Sequence, residues 1–400
     1  MTGLTAPDKG LQDDLTISRD TLDRAVLEGV ISAGQRDRLR ALEAGSPHEA
    51  DEPDENLRLI GGGNDLFVSV GIVLLTAGFY FALTTMIAGQ PLWIAGILAA
   101  FAWVLAEFIT RQHRMKLAST LLALVFAGAA FATLVQVSDL LYPIRPPDSF
   151  WQVLALRGVV APAGYLVLGG TVLVAAIHFW RFRVPVLAGV IAIALTLLAF
   201  LQTALFLYDG VTTGSVAPPA VEDIPELVRA ALYMPLICGL VVFATAVGLD
   251  LHDRERRTVW SDCAFWLHVV SAPMLVHPLF IMATGQDAFF GSVEPGSDAT
   301  LMLALLILGF VYVALAIDRR SLLVPTLAYF GSLGIYYLFD TATEATGVPP
   351  FALILVVVGL LIILFGAGWQ RIRALIVGHT LPTSVLNRLP PLKARVQIPT

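Results

Sequence analysis

Between Leu66 and Ala106 the chain reads LFVSVGIVLLTAGFYFALTTMIAGQPLWIAGILAAFAWVLA, forty-one residues without one Asp, Glu, Lys or Arg. At about 1.5 Å of rise per residue, a single helix of that length would be roughly twice as long as the hydrocarbon core of a bilayer is thick. The stretch must therefore fold back on itself. Gly89-Gln90-Pro91 marks the reversal, because a glycine frees the backbone there and a proline cannot continue the helix that precedes it. A membrane hairpin follows from these residues, and with it the fold class: an all-α, polytopic transmembrane helical bundle.

The rest of the chain repeats the device. Further apolar runs cover Leu117 to Val135, Val159 to Trp180, Val184 to Leu207, Val228 to Leu249, Ser261 to Thr284, Thr300 to Ile317, Leu322 to Phe339 and Phe351 to Trp369. With Leu66 to Ala88 and Pro91 to Thr110 they make ten expected spans, each near the roughly 17–25 residues that a bilayer helix needs. Composition agrees: 57% of the 400 residues are hydrophobic and 14% are charged, and the mean hydropathy is +0.77. Soluble domains carry about a quarter charged residues, so an ordinary soluble enzyme is excluded. The first 60 residues are polar and the first apolar run is long enough to span, so no cleavable signal peptide is expected.

The ten-span reading predicts orientation from charge. With the amino terminus inside, the same side holds Arg111 to Lys116, Arg181 to Arg183, Asp250 to Trp260, Asp318 to Arg320 and both tails, which carry 22 of the 25 Lys and Arg. Only Arg145, Arg157 and Arg229 fall opposite, among acids such as Asp209, Glu222, Asp223, Asp287, Asp298 and Glu344. The positive-inside rule therefore puts both termini in the cytoplasm of a cell whose inner membrane the chain crosses many times. Twenty-two of the basic residues are arginine, a bias associated with GC-rich bacterial genomes. The basic reversals begin at 111, 181, 252 and 318, a spacing of about 70 residues, and RVPVLA at Arg183 resembles LVPTLA at Leu323. A stacked-hairpin constraint and a duplication both explain that match.

Four regions follow: a cytoplasmic helical hairpin over 1–43, an acidic and Gly-rich linker over 44–64, a transmembrane domain of ten helices over 65–370 and a cytoplasmic tail over 371–400. In the hairpin, Ser18 or Asp20 caps a helix whose apolar face is Leu22, Ala25 and Val26 and which ends at Gly29. Ser32 and Gln35 then have the spacing of a capping box, with Leu39 and Leu42 as the next apolar face. The pair is too small for a core of its own. Residues 15–43 are accordingly the expected surface for a protein partner or for self-association. The stretch Ala44 to Asn56, acidic and free of basic residues, reads as a tether. Gly61-Gly62-Gly63-Asn64-Asp65 lacks the Lys and Ser/Thr of a phosphate-binding loop, and reads as a joint with Asn64 or Asp65 capping the first span.

Ionisable groups within spans are costly and so are candidate functional residues. Glu107 stands four residues before Arg111, the spacing of a helical ion pair. His178 lies beside Trp180 and Arg181 and reads as an interface anchor. His268, Ser271, Pro273 and His277 share the seventh span, where Pro273 frees the carbonyl of Val269. The two histidines are about 13 Å apart along the helix and on different faces, so they do not share a metal ion. These five residues, His268, His277, Ser271, Pro273 and Glu107, are the candidate ligand or proton pathway. No catalytic triad, HExxH, CxxC or Walker lysine is present, so neither catalytic nor metal-binding residues nor a cofactor are assigned. Cys238 and Cys263 read as small buried hydrophobes, and Trp93, Trp151, Trp180, Trp260 and Trp369 as an interfacial belt. Gly71 with Gly78, and Gly128 with Ala132, offer small-residue faces for close helix packing.

Glu28-Gly29-Val30-Ile31-Ser32 with Gln35, the acidic tether, and Asn64-Asp65-Leu66-Phe67-Val68 entering the first span together resemble the bacterial predicted membrane proteins grouped as a domain of unknown function. The resemblance implies a short cytoplasmic helical tail, a many-helix membrane domain and no carried-over active residues. The reading that follows is a non-enzymatic inner-membrane protein with a structural, sensing or docking role. It contacts the lipid bilayer and no nucleic acid, and the residues name no small-molecule substrate. A small-solute or proton-coupled transporter of the ten-helix carrier type is the alternative; it requires broken helices and a polar cavity near the midplane, around Pro273 or Pro235. A membrane enzyme ranks third.

Overall fold

The computed structural model of this protein describes residues 19–32, 34–36, 63–113, 115–143, 156–217, 220, 222, 224–253, 256, 258–284, 297–323, 350–386 and 389. Contacts divide the chain into two units, Met1–Asp54 and Glu55–Thr400, a boundary inside the linker expected over 44–64. Every regular element among the described residues is a helix.

In the first unit, α1 (Arg19–Leu27) buries Leu22 and ends as its sequence requires. Gly29 takes a positive φ of 72°, the Gly29 N–H donates to the Val26 carbonyl and the Val30 N–H to that of Ala25. This paired closure satisfies carbonyls that a helix end otherwise leaves open. The capping box also forms: the Gln35 N–H donates to Ser32 Oγ at 3.2 Å and the Ser32 N–H to Gln35 Oε1 at 2.9 Å. Ser18, Leu39 and Leu42 lie outside the described residues.

The second unit is a succession of long apolar helices: α2 (Gly63–Met86), α3 (Pro91–His113), α4 (Lys116–Leu141), α5 (Arg157–Phe182), α6 (Val186–Thr212), the short α7 (Ile224–Ala231), α8 (Tyr233–His252), α9 (Val259–Thr284), α10 (Ser297–Ile317), α11 (Pro350–Thr380) and α12 (Thr383–Leu386). Seven of the described stretches are long and apolar enough to cross a membrane: α2 to α6, Arg229–His252 and Val259–Leu279. They coincide with the first seven spans read from hydropathy. The eighth expected span falls on α10 and the tenth on α11, while the ninth lies outside the described residues beyond Leu323. Gly89, with φ of 77°, makes the first reversal and Pro91 opens α3.

The bundle is built as two apolar clusters with a seam. The first gathers Ile72, Ala106, Leu122, Ala123, Ala175 and Leu187 from α2 to α6; the second gathers Ala272, Ala314, Leu315, Leu322, Trp369 and Val377 from α9 to α11. Ala192, Ala246 and Leu267 join α6, α8 and α9 between them. The outer apolar surface is as informative as the core. Phe67 is 79% exposed and Met86 80%, and Leu74, Phe81, Leu173, Phe206 and Val241 are likewise turned outward. A hydrocarbon solvent explains so large an outward apolar area.

Close packing occurs at glycines other than the expected ones. Gly71, Gly78 and Gly128 have open space where a Cβ would stand. At Gly239 a Cβ would meet that of Met274 at 3.0 Å, and at Gly170 it would meet Leu134 Cδ2 at 2.9 Å. Helix α5 carries a π-helical turn over Tyr165–Gly169, three residues after Pro162, and still runs continuously to Phe182. Among the expected belt residues, Trp93, Trp180 and Trp260 are exposed as an interface requires, and Trp151 lies outside the described residues. Trp369 is instead 1% exposed, and α11 continues past it, burying Arg373 and Val377.

Candidate functional site

Asp65 shows how charged residues are used at the end of the unit where α2 begins. Asn64 and Asp65, the two residues that the sequence offers as a cap for the first span, both lie inside α2, which begins at Gly63. The Asp65 carboxylate instead accepts from the N–H groups of Leu117 (3.0 Å) and Ala118 (3.1 Å), closing the first turn of α4, whose own cap residue Met115 provides no side-chain bond. Two of the N-terminal orphan donors of α4 are thereby satisfied from another span, and an anion sits at the positive end of the helix.

Four further helices meet in a buried polar network at the same end of the bundle. Asp250, in the last turn of α8, receives both Arg319 Nε at 2.9 Å and Arg319 Nη2, a bidentate pair. His268 Nε2, from α9, reaches Asp250 Oδ2 at 2.9 Å. Arg319 Nη2 also donates to the carbonyl and hydroxyl of Ser261, each at 3.1 Å. Next along the chain, Asp318 accepts the Trp369 indole N–H at 2.6 Å, while Arg256 Nη2 donates to its carbonyl at 2.9 Å and stands 3.6 Å from its carboxylate. Arg373 Nε lies 3.8 Å from the Asp318 carboxylate and donates to the Leu315 carbonyl at 2.9 Å. Arg320 covers the face of Trp369 at 5.5 Å. Asp253 completes the set by accepting the N–H and hydroxyl of Thr258 at 2.8 and 2.6 Å, just before α9 begins. Arg319 is paired with Asp250, and Arg256 and Arg373 stand beside Asp318, so these buried charges have opposite charges next to them.

The network ties together α8, α9, α10 and α11. Arginine stays protonated, so Asp250 is held as a carboxylate and His268 must place its hydrogen on Nε2. His268 is fully buried, and its Nδ1 has no hydrogen-bond partner among the described residues. Ser271 is also fully buried, but its hydroxyl donates to the His268 carbonyl at 3.2 Å and not to the ring. Ser261 Oγ is engaged by Arg319. No described hydroxyl is therefore activated by the imidazole in the way a nucleophile is.

The remaining candidates are spread out. Pro273 is exposed, and α9 runs unbroken through it and through Pro278. His277 is half-buried nine residues beyond His268. Glu107 makes the anticipated bond to Arg111 at 3.4 Å and a shorter one to Arg181 at 2.8 Å. His178, expected at an interface, is fully buried among Trp103, Phe126 and Phe182, stacked on Phe126 at 4.6 Å. Cys263 is buried. Among the described residues no group of three or more His, Cys, Asp or Glu side chains is placed to hold a metal ion.

Sequence reading passed over Asp250, Arg319, Asp318 and Arg373 because it assigned all four to polar loops or tails. A signal was present: Asp250 and Arg319 close successive even-numbered runs, as Glu107 and Arg181 do, and the two pairs are 69 and 74 residues apart. Also at this end is a cavity of about 470 Å³, bordered by the reversal between α3 and α4, that between α5 and α6, and the first turns of α9. No family model, curated protein or solved structure matches this chain.

Proposed function

We propose that the chain is a non-enzymatic bacterial inner-membrane protein of ten spans, with both termini in the cytoplasm, serving as a membrane-embedded docking or sensing platform. The charge asymmetry of its reversals supports the orientation, and the tail over 15–43 supplies the partner or self-association surface. The likeness to the bacterial predicted membrane proteins of unknown function is in keeping with this role. One observation carries the choice over a carrier: His268 and Ser261 of α9 are engaged with Asp250 and Arg319, and α9 is unbroken at Pro273. An alternating-access carrier is instead built around discontinuous helices that line a midplane site.

A proton-coupled transporter is the second reading, favoured by the buried His268, whose Nδ1 has no partner among the described residues. The test is a pH-jump experiment on proteoliposomes loaded with a pH-sensitive dye. The platform reading expects the internal pH to relax at the rate of protein-free vesicles. Faster relaxation that returns to that rate in His268→Ala would replace it with the transporter.

A further inference from the structure

The cavity at the basic end is lined by Arg111, Lys116, Arg181 and Arg183, with Asp262 the one acidic residue on its described wall. Counting Glu107, which pairs with Arg111 and Arg181, four cations face two carboxylates and leave two positive charges. Neither Lys116 nor Arg183 forms an ion pair among the described residues. The α6 N-terminus adds to this field: Val184 and Pro185 line the cavity, and α6 has no side-chain cap. Arg183 also makes the turn between α5 and α6. It closes α5 at φ 56°, a left-handed position that Arg256 and Asp318 also take up, and it is one of the residues that line the cavity.

We propose that this cavity binds a phosphate ester, its phosphate held by Lys116, Arg183 and Arg181 and its organic portion against Met115, Phe182 and Trp266. The volume, within the roughly 300–1,000 Å³ of ligand pockets, is more than a bare phosphate fills, and the apolar wall suits an organic body. Arginine and lysine are the donors that recognise phosphate oxygens. The inference does not depend on which side of the membrane the cavity faces. Two sources share this chemistry: a phospholipid headgroup from the adjacent leaflet and a soluble phosphorylated molecule.

The experiment titrates purified full-length protein in detergent with dioctanoyl phosphatidate, with glycerol 3-phosphate, with inorganic phosphate and with dioctanoylglycerol, reading heat of binding. Arg183→Gly keeps the left-handed turn while removing the charge, and is combined with Lys116→Gln. Arg229→Gln, an exposed cation on another reversal, controls for charge alone. The double variant is expected to weaken phosphatidate binding about tenfold or more, and Arg229→Gln to change it less than about twofold. Phosphatidate binding far more tightly than phosphate supports an ester whose organic portion uses the apolar wall and identifies the lipid source; weak phosphatidate binding that a soluble ester, glycerol 3-phosphate, exceeds identifies the soluble one, and phosphate binding as tightly as either ester overturns the proposal. Absence of binding by both esters, equal binding of dioctanoylglycerol, or equal losses in the double variant and the control also overturns it.

Discussion

Asp65 reaches 52 residues along the chain to cap α4, so its loss should be felt in a helix to which it does not belong. Asp65→Ala is expected to cost about 1 kcal/mol, the usual worth of a helix cap, read as a lower thermal midpoint in detergent. Asp65→Asn, which still presents an acceptor oxygen, should recover part of that. The Asp250–Arg319 pair is a stronger case. Arg319→Leu leaves a buried carboxylate with His268 alone beside it and should destabilise by about 3–5 kcal/mol, whereas Asp250→Leu combined with Arg319→Leu should restore much of the loss. Denaturant titration of the single and double variants measures this, and equal losses in the two would refute the pairing. Residue-scale features were legible where both partners are sequence neighbours, as with Ser32 and Gln35, three residues apart. The partner of His268 was hidden: Asp250 is 18 residues away in a segment whose charge, by hydropathy alone, belongs in water.

Helices are the scale at which apolar sequence is most informative. Each of the seven stretches suited to a membrane was readable from its length and lack of charge, since only a helix satisfies its own backbone in hydrocarbon. Which faces meet was less readable, because an apolar alphabet looks alike toward lipid and toward a neighbouring helix. Gly71 and Gly78 have the spacing of a packing stripe yet stand in open space, while Gly239 brings α8 against α9. Gly239→Val is therefore expected to lower stability by about 1–3 kcal/mol through overpacking, and Gly71→Val to have little effect. Thermal unfolding of the two variants in the same detergent compares them directly. The end of α11 escaped sequence reading for the converse reason: Arg371 and Arg373 look like the start of a polar tail, but Arg373 is buried against Leu315 and Asp318. The pairs Glu107–Arg181 and Asp250–Arg319 repeat one device, an acid closing one helix and an arginine closing or following another roughly 70 residues on.

At the scale of the molecule, the arginines that set the proposed orientation serve a second purpose. Arg111, Arg181 and Arg183 line a charged cavity, and Arg256 and Arg319 hold reversals together. Charge asymmetry is visible in a sequence because it needs only counting; the network is not, because it depends on which reversals become neighbours. The disposition across the membrane is tested most directly by labelling single cysteines in a background of Cys238→Ser and Cys263→Ala. His113→Cys is on the basic side and Thr212→Cys is the last residue at the far end of α6, both at exposed positions. An impermeant maleimide added to intact spheroplasts should label position 212 and leave 113 unmodified until the membrane is opened. Labelling of 113 from outside, or equal labelling of both, would contradict it.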